Sequence, residues 1–393
     1  MTTGSSASAA AAAIDRIASA RERVGLGLLS GTSADGVDAA IARFADGAPP
    51  RLVLYRCTPL PDDVRRGVLD AERLDTGALA LLDARLGALF GDAAAALAAE
   101  APAGVKPSFV GSHGQTVFHR SRSKGAPAVT LQIGEPAEIA RRTGLVTVAD
   151  FRPSDVAEGG EGAPLVPLLD RALFPPDGVA RLVVNLGGIA NLTALDGKRN
   201  GAILAFDSGP ANMPIDLAVR RLTRGAEAFD CDGRLAASGR VDGALLSRLL
   251  EHPFLAREAP KSTGAQEFGP RFVEGILAAH EDLGPASIVA TLTAFSAEAL
   301  ALAYRRWVEP RFRVAEVVLS GGGARNLALV ARIRGAFTPV TVVGLAERGL
   351  DPDAKEAVLF ALLAHETLFG RPGNVPAATG AAREAVLGKI VLP

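Results

Sequence analysis

Apolar residues in this chain come in short dense runs that stop abruptly at glycines. Residues 24–29 form one such run, which ends in Ser-Gly-Thr-Ser-Ala-Asp-Gly, and a second half-apolar run, 37–44, begins at once. With 51–57 these runs are too short for helices and predict three strands. Longer stretches at 61–72 and 76–100 predict helices, the second rich in Ala and Leu. The pattern then predicts a strand followed by a loop over 108–119, a strand over 128–134, a short helix over 135–144 that stops at Gly144, and a strand over 145–150. Residues 151–167 hold too many Gly and Pro for one element and predict an ordered loop or a crossing between domains.

The opening pattern returns at 181–195 as strand, Gly-Gly turn and strand. Strand, turn and helix follow over 202–222, a helix-rich stretch runs from 210 to about 308, and 315–333 reads as strand, triple-Gly turn and helix. A strand at 340–345, a helix over 351–370 and a loop-like tail complete the chain. Two glycine hairpins about 155 residues apart, each followed by strands and helices, predict two similar α/β lobes. We expect an extension at 1–23, disordered or weakly helical, a first lobe over 24–153 joined by 371–393, and a second lobe over 154–370.

Composition narrows the function. A formal net charge of −1 in 393 residues gives no basic field for nucleic acid. Cys57 and Cys231 are far apart and suit the cytoplasm, and the five histidines form no HxxxH or HExxH pattern. The first 24 residues have no sustained apolar core and no basic residue before Arg16, unlike a secretory signal, and no run of 18 apolar residues predicts a membrane span.

The glycine turns carry the candidate chemistry. A turn with Gly31, Thr32, Ser33 and Asp35 is either a plain hairpin or a loop built for phosphate, because glycine lets backbone N–H groups approach an anion closely. Gly187, Gly188 and the cluster Gly321, Gly322 and Gly323 pose the same choice. Asp207 in "DSG" is either a base at a strand end or a helix N-cap. His113 and His119 read locally as loop histidines. No GxxxxGK[ST] and no GxGxxG at the Gly187 turn occur, which excludes a P-loop and a dinucleotide fingerprint.

Read in order, "GLLSGTSADGVD", "SHGQTVFH", "TLQIGEPAEIA", "DFRPSDVAEGGEGAPLVP", "NLGGIANLT", "FDSGPANMPID", "KSTGAQEFG", "GGGARN" and "TGAAREAVLGKI" resemble the anhydro-N-acetylmuramic acid kinase family, over about residues 25–391. The resemblance implies two similar actin-like, ribonuclease-H-like lobes with a nucleotide and sugar cleft between them. It implies an ATP- and Mg²⁺-dependent enzyme that opens a 1,6-anhydro sugar with water and phosphorylates O6 in cell-wall recycling. Its partner is a small sugar, with no nucleic acid or membrane, and a homodimer is left open. By the same resemblance the loop Gly31, Thr32, Ser33, Ala34, Asp35, Gly36, Val37 and Asp38 would cradle phosphates, with Asp35 holding Mg²⁺ through water. Gly187 and Gly188 would form the second phosphate turn, and Gly321, Gly322, Gly323 and Asn326 would lie near the adenosine. Asp207 would be the base on the attacking water. His113, Gln115, Arg152 and Glu356 would line the sugar site. Arg152 has a planar fork suited to the sugar's lactyl carboxylate. Lobe closure on substrate would keep ATP hydrolysis slow without sugar.

Departures from the family pattern are Ser208, Ala211, costly by about 1 kcal/mol if that position needs a positive φ, and Glu161, which adds a charge near the expected site. Lys355 precedes Glu356 where the family varies. The alternatives are a levoglucosan kinase, a plain sugar kinase and a chaperone-like ATPase module.

Overall fold

The computed structural model describes residues 14–31, 33–122, 126–174, 176–198, 201–259 and 261–393. The expected extension at 1–23 falls largely outside them; within them 14–19 are helical, and the first strand already begins at Glu22.

The chain divides into two compact units, Met1–Pro175 with Gly349–Pro393, and Pro176–Arg348. Residues 154–174 and 349–370, expected in the second lobe, therefore belong to the first unit. The reason is packing: the helix Lys355–Leu368 lies on the first sheet so closely that a Cβ on Gly27 would meet the Ala357 carbonyl oxygen at 1.8 Å, and one on Gly111 the Phe360 oxygen at 2.0 Å.

The first sheet contains β1 (Glu22–Ser30), β2 (Gly36–Ala45), β3 (Arg51–Pro59), β4 (Phe109–Arg120), β5 (Val129–Ile133), β6 (Val146–Ala149) and β12 (Lys389–Val391). Its order is β12-β6-β4-β1-β2-β3, with β5 on β4. β1, β2 and β3 are antiparallel, whereas β4 runs parallel to β1 and β6 parallel to β4. The segment predicted as strand then loop is one strand, because β5 pairs with its second half across a bulge. A core of Leu26, Leu28, Val37, Phe90, Val110 and Ile139 fills the space under the helix Thr76–Ala99. The stretch 151–167 contains a helix, Phe151–Ala157, and the start of another, Val166–Leu173, rather than one irregular loop.

The second sheet contains β7 (Arg181–Leu186), β8 (Ile189–Leu195), β9 (Ile203–Pro210), β10 (Glu316–Ser320) and β11 (Thr341–Gly344), in the order β11-β10-β7-β8-β9. Here too the first three strands are antiparallel and the next two parallel. Both units thus share the ribonuclease-H-like order 3-2-1-4-5, and each begins with a glycine hairpin. The helix Pro285–Ala303, with its continuation to Val308, is long and apolar enough to cross a membrane, but 78% of its most apolar stretch is buried inside the second unit, where it is the central core helix.

Candidate active site

The glycine turns lie at the C-terminal ends of β1, β7 and β10, strands with a parallel neighbour, where ligands bind in open α/β sheets, whereas Asp38 and Asp207 lie within strands and Arg152 and Glu356 on helices. In the first unit the turn after β1 is tight: Ala34 N–H donates to Gly31 O at 3.0 Å, and Ala34 itself has φ 51°. Gln115, opposite Ser30 on β4, donates from Nε2 to the same Gly31 oxygen at 3.1 Å. Expected among the sugar-lining residues, Gln115 in this structure anchors the turn. Ser33 and Asp35 are exposed, and Asp35 pairs with Arg65 at 3.1 Å. Thr32 lies outside the described residues.

The expected eight-residue loop is in fact five residues long, 31–35. Gly36, Val37 and Asp38 already belong to β2, and Val37 is buried in the core, because strand alternation turns it inward. Asp38 accepts from the Tyr55 hydroxyl at 2.6 Å. Burial pushes its carboxyl above the usual range, against the pull of Tyr55 and Cys57.

His113, Arg152 and Glu356 converge. Arg152 Nε donates to His113 Nε2 at 2.9 Å, and His113 Nδ1 bonds the Gly114 carbonyl at 3.0 Å. Nδ1 therefore carries the proton and Nε2 is an acceptor, the neutral form. Burial, then Arg152, hold this imidazole well below its ordinary pKa. With both ring nitrogens engaged, His113 orients Arg152 and is not a proton shuttle. Arg152 Nη1 donates to Gly162 O at 2.8 Å, so two of its five N–H donors are committed and the second Nη1 hydrogen and both Nη2 hydrogens remain. Glu356 begins the helix on β1 and β4; burial raises its pKa, while Arg152 and Lys355 oppose that shift.

In the second unit the two glycine clusters meet at the ends of adjacent parallel strands, β7 and β10. The first-turn amides of Asn212 and Met213 donate to Gly187 O and Gly188 O, each at 3.0 Å, which sets the shape of that turn. Asn212 Nδ2 also donates to Leu186 O at 2.9 Å, and its side chain fills the space where a Cβ on Gly323 would fall. Gly321, at φ 79°, leaves no room beside Asn185 and Leu186. Asn326 is the N-cap of the helix Leu327–Ala336, accepting from Leu329 N–H at 3.0 Å, so its carbonyl oxygen is already engaged.

Asp207 is not an N-cap. It sits inside β9, and the next helix starts at Asn212 with no side-chain cap. Its backbone N–H donates to Lys261 O, and its Oδ2 accepts from Thr263 N–H, both at 2.9 Å. Oδ1 has no hydrogen bond among the described residues. Burial raises this carboxyl to about 6, with the Thr263 amide pulling the other way. Lys261 holds the bracketing segment: its Nζ donates to the carbonyls of Phe254 at 3.0 Å and Leu255 at 3.2 Å and lies 4.5 Å above the Phe254 ring. Burial, Arg306 and Arg257 pull this ammonium down to about 8.

Asn212, Lys261 and Thr263 were visible only as letters in the motifs "GPAN" and "KSTG"; nothing in their spacing announces a hydrogen bond to a residue tens of positions away. Ala211 has φ −127°, so the cost expected for a positive φ does not arise. Glu161 accepts from Arg122 N–H at 2.9 Å.

Among the described residues no three His, Cys, Asp or Glu side chains are arranged to hold a metal ion. Exposed Asp35, on the glycine turn after β1, is nevertheless a donor of the kind that fits Mg²⁺, which binds one or two carboxylates and keeps waters and phosphates for its other positions.

Two units of one strand order, each opening on a glycine hairpin, agree with a phosphotransferase that acts on a sugar, the class to which the chain's relatives belong. Within that class the chain belongs to the anhydro-N-acetylmuramic acid kinase family, whose sequence profile matches residues 23–393. It is 39% identical to the anhydro-N-acetylmuramic acid kinase of Caldanaerobacter subterraneus subsp. tengcongensis, over 96% of this chain and 99% of that protein. It is 44% identical to that of Xanthomonas campestris pv. campestris strain 8004, over 93% and 96% respectively.

Proposed function

We propose that this enzyme opens the 1,6-anhydro ring of 1,6-anhydro-N-acetylmuramic acid with water and phosphorylates O6 from ATP, giving N-acetylmuramic acid 6-phosphate for cell-wall recycling in the cytoplasm. The observation that carries this reading is Asp207. A carboxyl near pKa 6, held at one oxygen and uncommitted at the other, suits a base that must be ionised at neutral pH yet still attract a proton. Water attacks C1 as its proton passes to Asp207 Oδ1. The C1–O6 bond breaks, and its electron pair stays on O6. That oxygen takes the γ-phosphoryl group, and ADP leaves.

The other residues bind and orient. Gly31–Asp35 and the turn at Gly187 receive phosphates, where a glycine leaves room for backbone donors, and the Gly321–Gly323 turn lies near the adenosine. Arg152, fixed by His113, presents its remaining Nη1 and Nη2 donors to the sugar beside Glu356. Asp35 would hold Mg²⁺ through water, and the ion would offset phosphate charge during transfer. Gln115 keeps the Gly31 turn in place.

The test is turnover in ¹⁸O-water with the anhydro amino sugar, followed by mass spectrometry. One label at C1 and none in the phosphate ester is expected. A phosphorylated product with the anhydro ring intact, or without label, would overturn the hydrolytic step. Levoglucosan serves as the comparison substrate, since it lacks the lactyl and acetamido groups.

A further inference from the structure

A recess of about 120 Å³ opens in the first unit beside Ser112–Gly114 of β4 and the ends of β5 and β6, and of its polar side chains only His113 has a role above. Asp83, Glu135 and Asp150 stand around it. Each spends one carboxylate oxygen on the fold: Asp83 Oδ1 accepts from Gly134 N–H at 2.6 Å, Glu135 Oε1 from Ala137 N–H at 2.8 Å, and Asp150 Oδ2 from Lys389 Nζ at 2.7 Å. The second oxygen of each has no hydrogen bond among the described residues.

Two further polar atoms are stranded there. Ser112 is 1% exposed, and its Oγ has no partner among the described residues; Gln132 Oε1 is likewise buried and unpaired among them. Alternation along β4 turns Ser112 to the same face as Val110, the face covered by the helix that carries Asp83, while His113 turns to Phe360 on the other. Stranded buried polar atoms cost stability and call for an explanation.

The chemistry of the lining selects the ligand. With Asp150 offset by Lys389, Asp83 and Glu135 still leave a negative lining that disfavours a carboxylate or a phosphate. They do not converge as metal ligands. What satisfies them is an uncharged group with several O–H or N–H donors. At about 30 Å³ per water in the liquid, the space holds roughly four waters, or one edge of a sugar.

We propose that this recess is a specificity subsite that takes the uncharged, donor-rich edge of the sugar, its hydroxyl and acetamido N–H groups. The proposal rests on the reading of the enzyme as a sugar kinase. It also explains how one site accepts an acidic sugar in a single orientation: the lactyl carboxylate is kept away from the three acids.

The intact protein tests it with Ser112→Ala and Asp83→Asn. Ser112→Ala breaks no internal hydrogen bond, so its melting temperature should not fall. Both variants should raise the KM for the anhydro amino sugar about 3- to 10-fold, the worth of one hydrogen bond, and leave the KM for ATP unchanged. Saturation-transfer NMR with levoglucosan, a neutral probe, should show contact in the wild type and a weakened signal in both variants. Unchanged sugar KM and an unchanged NMR signal in both folded variants would overturn the subsite. So would displacement of levoglucosan by KCl or MgCl₂ alone, which would mark a cation site. If the wild type fails to turn over the anhydro amino sugar, the functional reading falls on its own, and the levoglucosan arm decides the recess.

Discussion

Asp207 shows what one side chain stores. Its pKa of about 6 lies above the ordinary 3.8, so the folded state binds its proton more tightly than the unfolded chain. The stability this proton confers is complete below about pH 4 and is lost as pH rises through about 6; at pH 8 the buried carboxylate is a net cost. Asp207→Asn should therefore melt higher than the wild type at pH 8, by about 1–3 kcal/mol of stability, with the gap closing below pH 4. The same variant should lose turnover by roughly 10² or more while still binding ATP, because an amide cannot take the water's proton. Thermal melts across pH beside steady-state rates check both, and a fully active variant would remove Asp207 as the base. Lys261 acts one step away. Lys261→Met should loosen the 261–263 segment, lower kcat about tenfold and move the acid limb of the rate profile to higher pH, since the Thr263 hydrogen bond that lowers the Asp207 pKa would weaken. Lys261→Arg should restore part of the rate.

At the scale of elements, identical glycines do different work. Among the described residues a Cβ on Gly31 meets nothing within 4 Å, and one on Gly322 only Asn212 Nδ2 at 4.0 Å, so neither glycine is demanded by their packing. Gly321 and Gly323 would meet neighbouring atoms at 2.5 and 2.7 Å. Gly31→Val should consequently keep its melting temperature and raise the KM for ATP at least tenfold, whereas Gly321→Val should destabilise the fold itself, since a branched side chain at φ 79° is strained as well as crowded. Differential scanning fluorimetry with and without ATP separates the two. A Gly31→Val enzyme that binds and turns over ATP normally would make that turn a simple hairpin.

For the whole molecule, the decisive joint is where the chain ends re-enter the first unit. Asp155 is fully buried and accepts from Gly162 N–H, Asn374 Nδ2 and Thr379 Oγ1 at 2.7–2.8 Å, tying the glycine-rich 159–162 stretch to the C-terminal segment. Asp155→Ala would strand three donors and should cost about 3 kcal/mol or more, visible as a lower denaturant midpoint. The catalytic cycle gives the other molecular-scale expectation. If O6 release is what calls for the phosphoryl group, ATP hydrolysis without sugar is slow; brisk sugar-independent ATPase from pure protein would favour a chaperone-like module instead.

Local pattern sufficed for much of this. The short apolar runs and glycine stops located the β1–β2 and β7–β8 hairpins, and the two similar α/β lobes, because alternation and turn chemistry act over a few residues. The ordered motifs pointed to the family and to Asp207. Tertiary structure alone decided that Asp207 lies within a strand rather than capping a helix, that Val37 is core, that Gln115 and His113 hold neighbours in place, and that Asn326 caps a helix. It also moved 349–370 into the first unit, through close backbone packing on Gly27 and Gly111. Except for the Asn326 cap, which is a local bond to Leu329, these rest on contacts between residues distant in sequence. A carboxylate's partner, its burial and hence its pKa are properties of that neighbourhood, which periodicity along the chain does not encode.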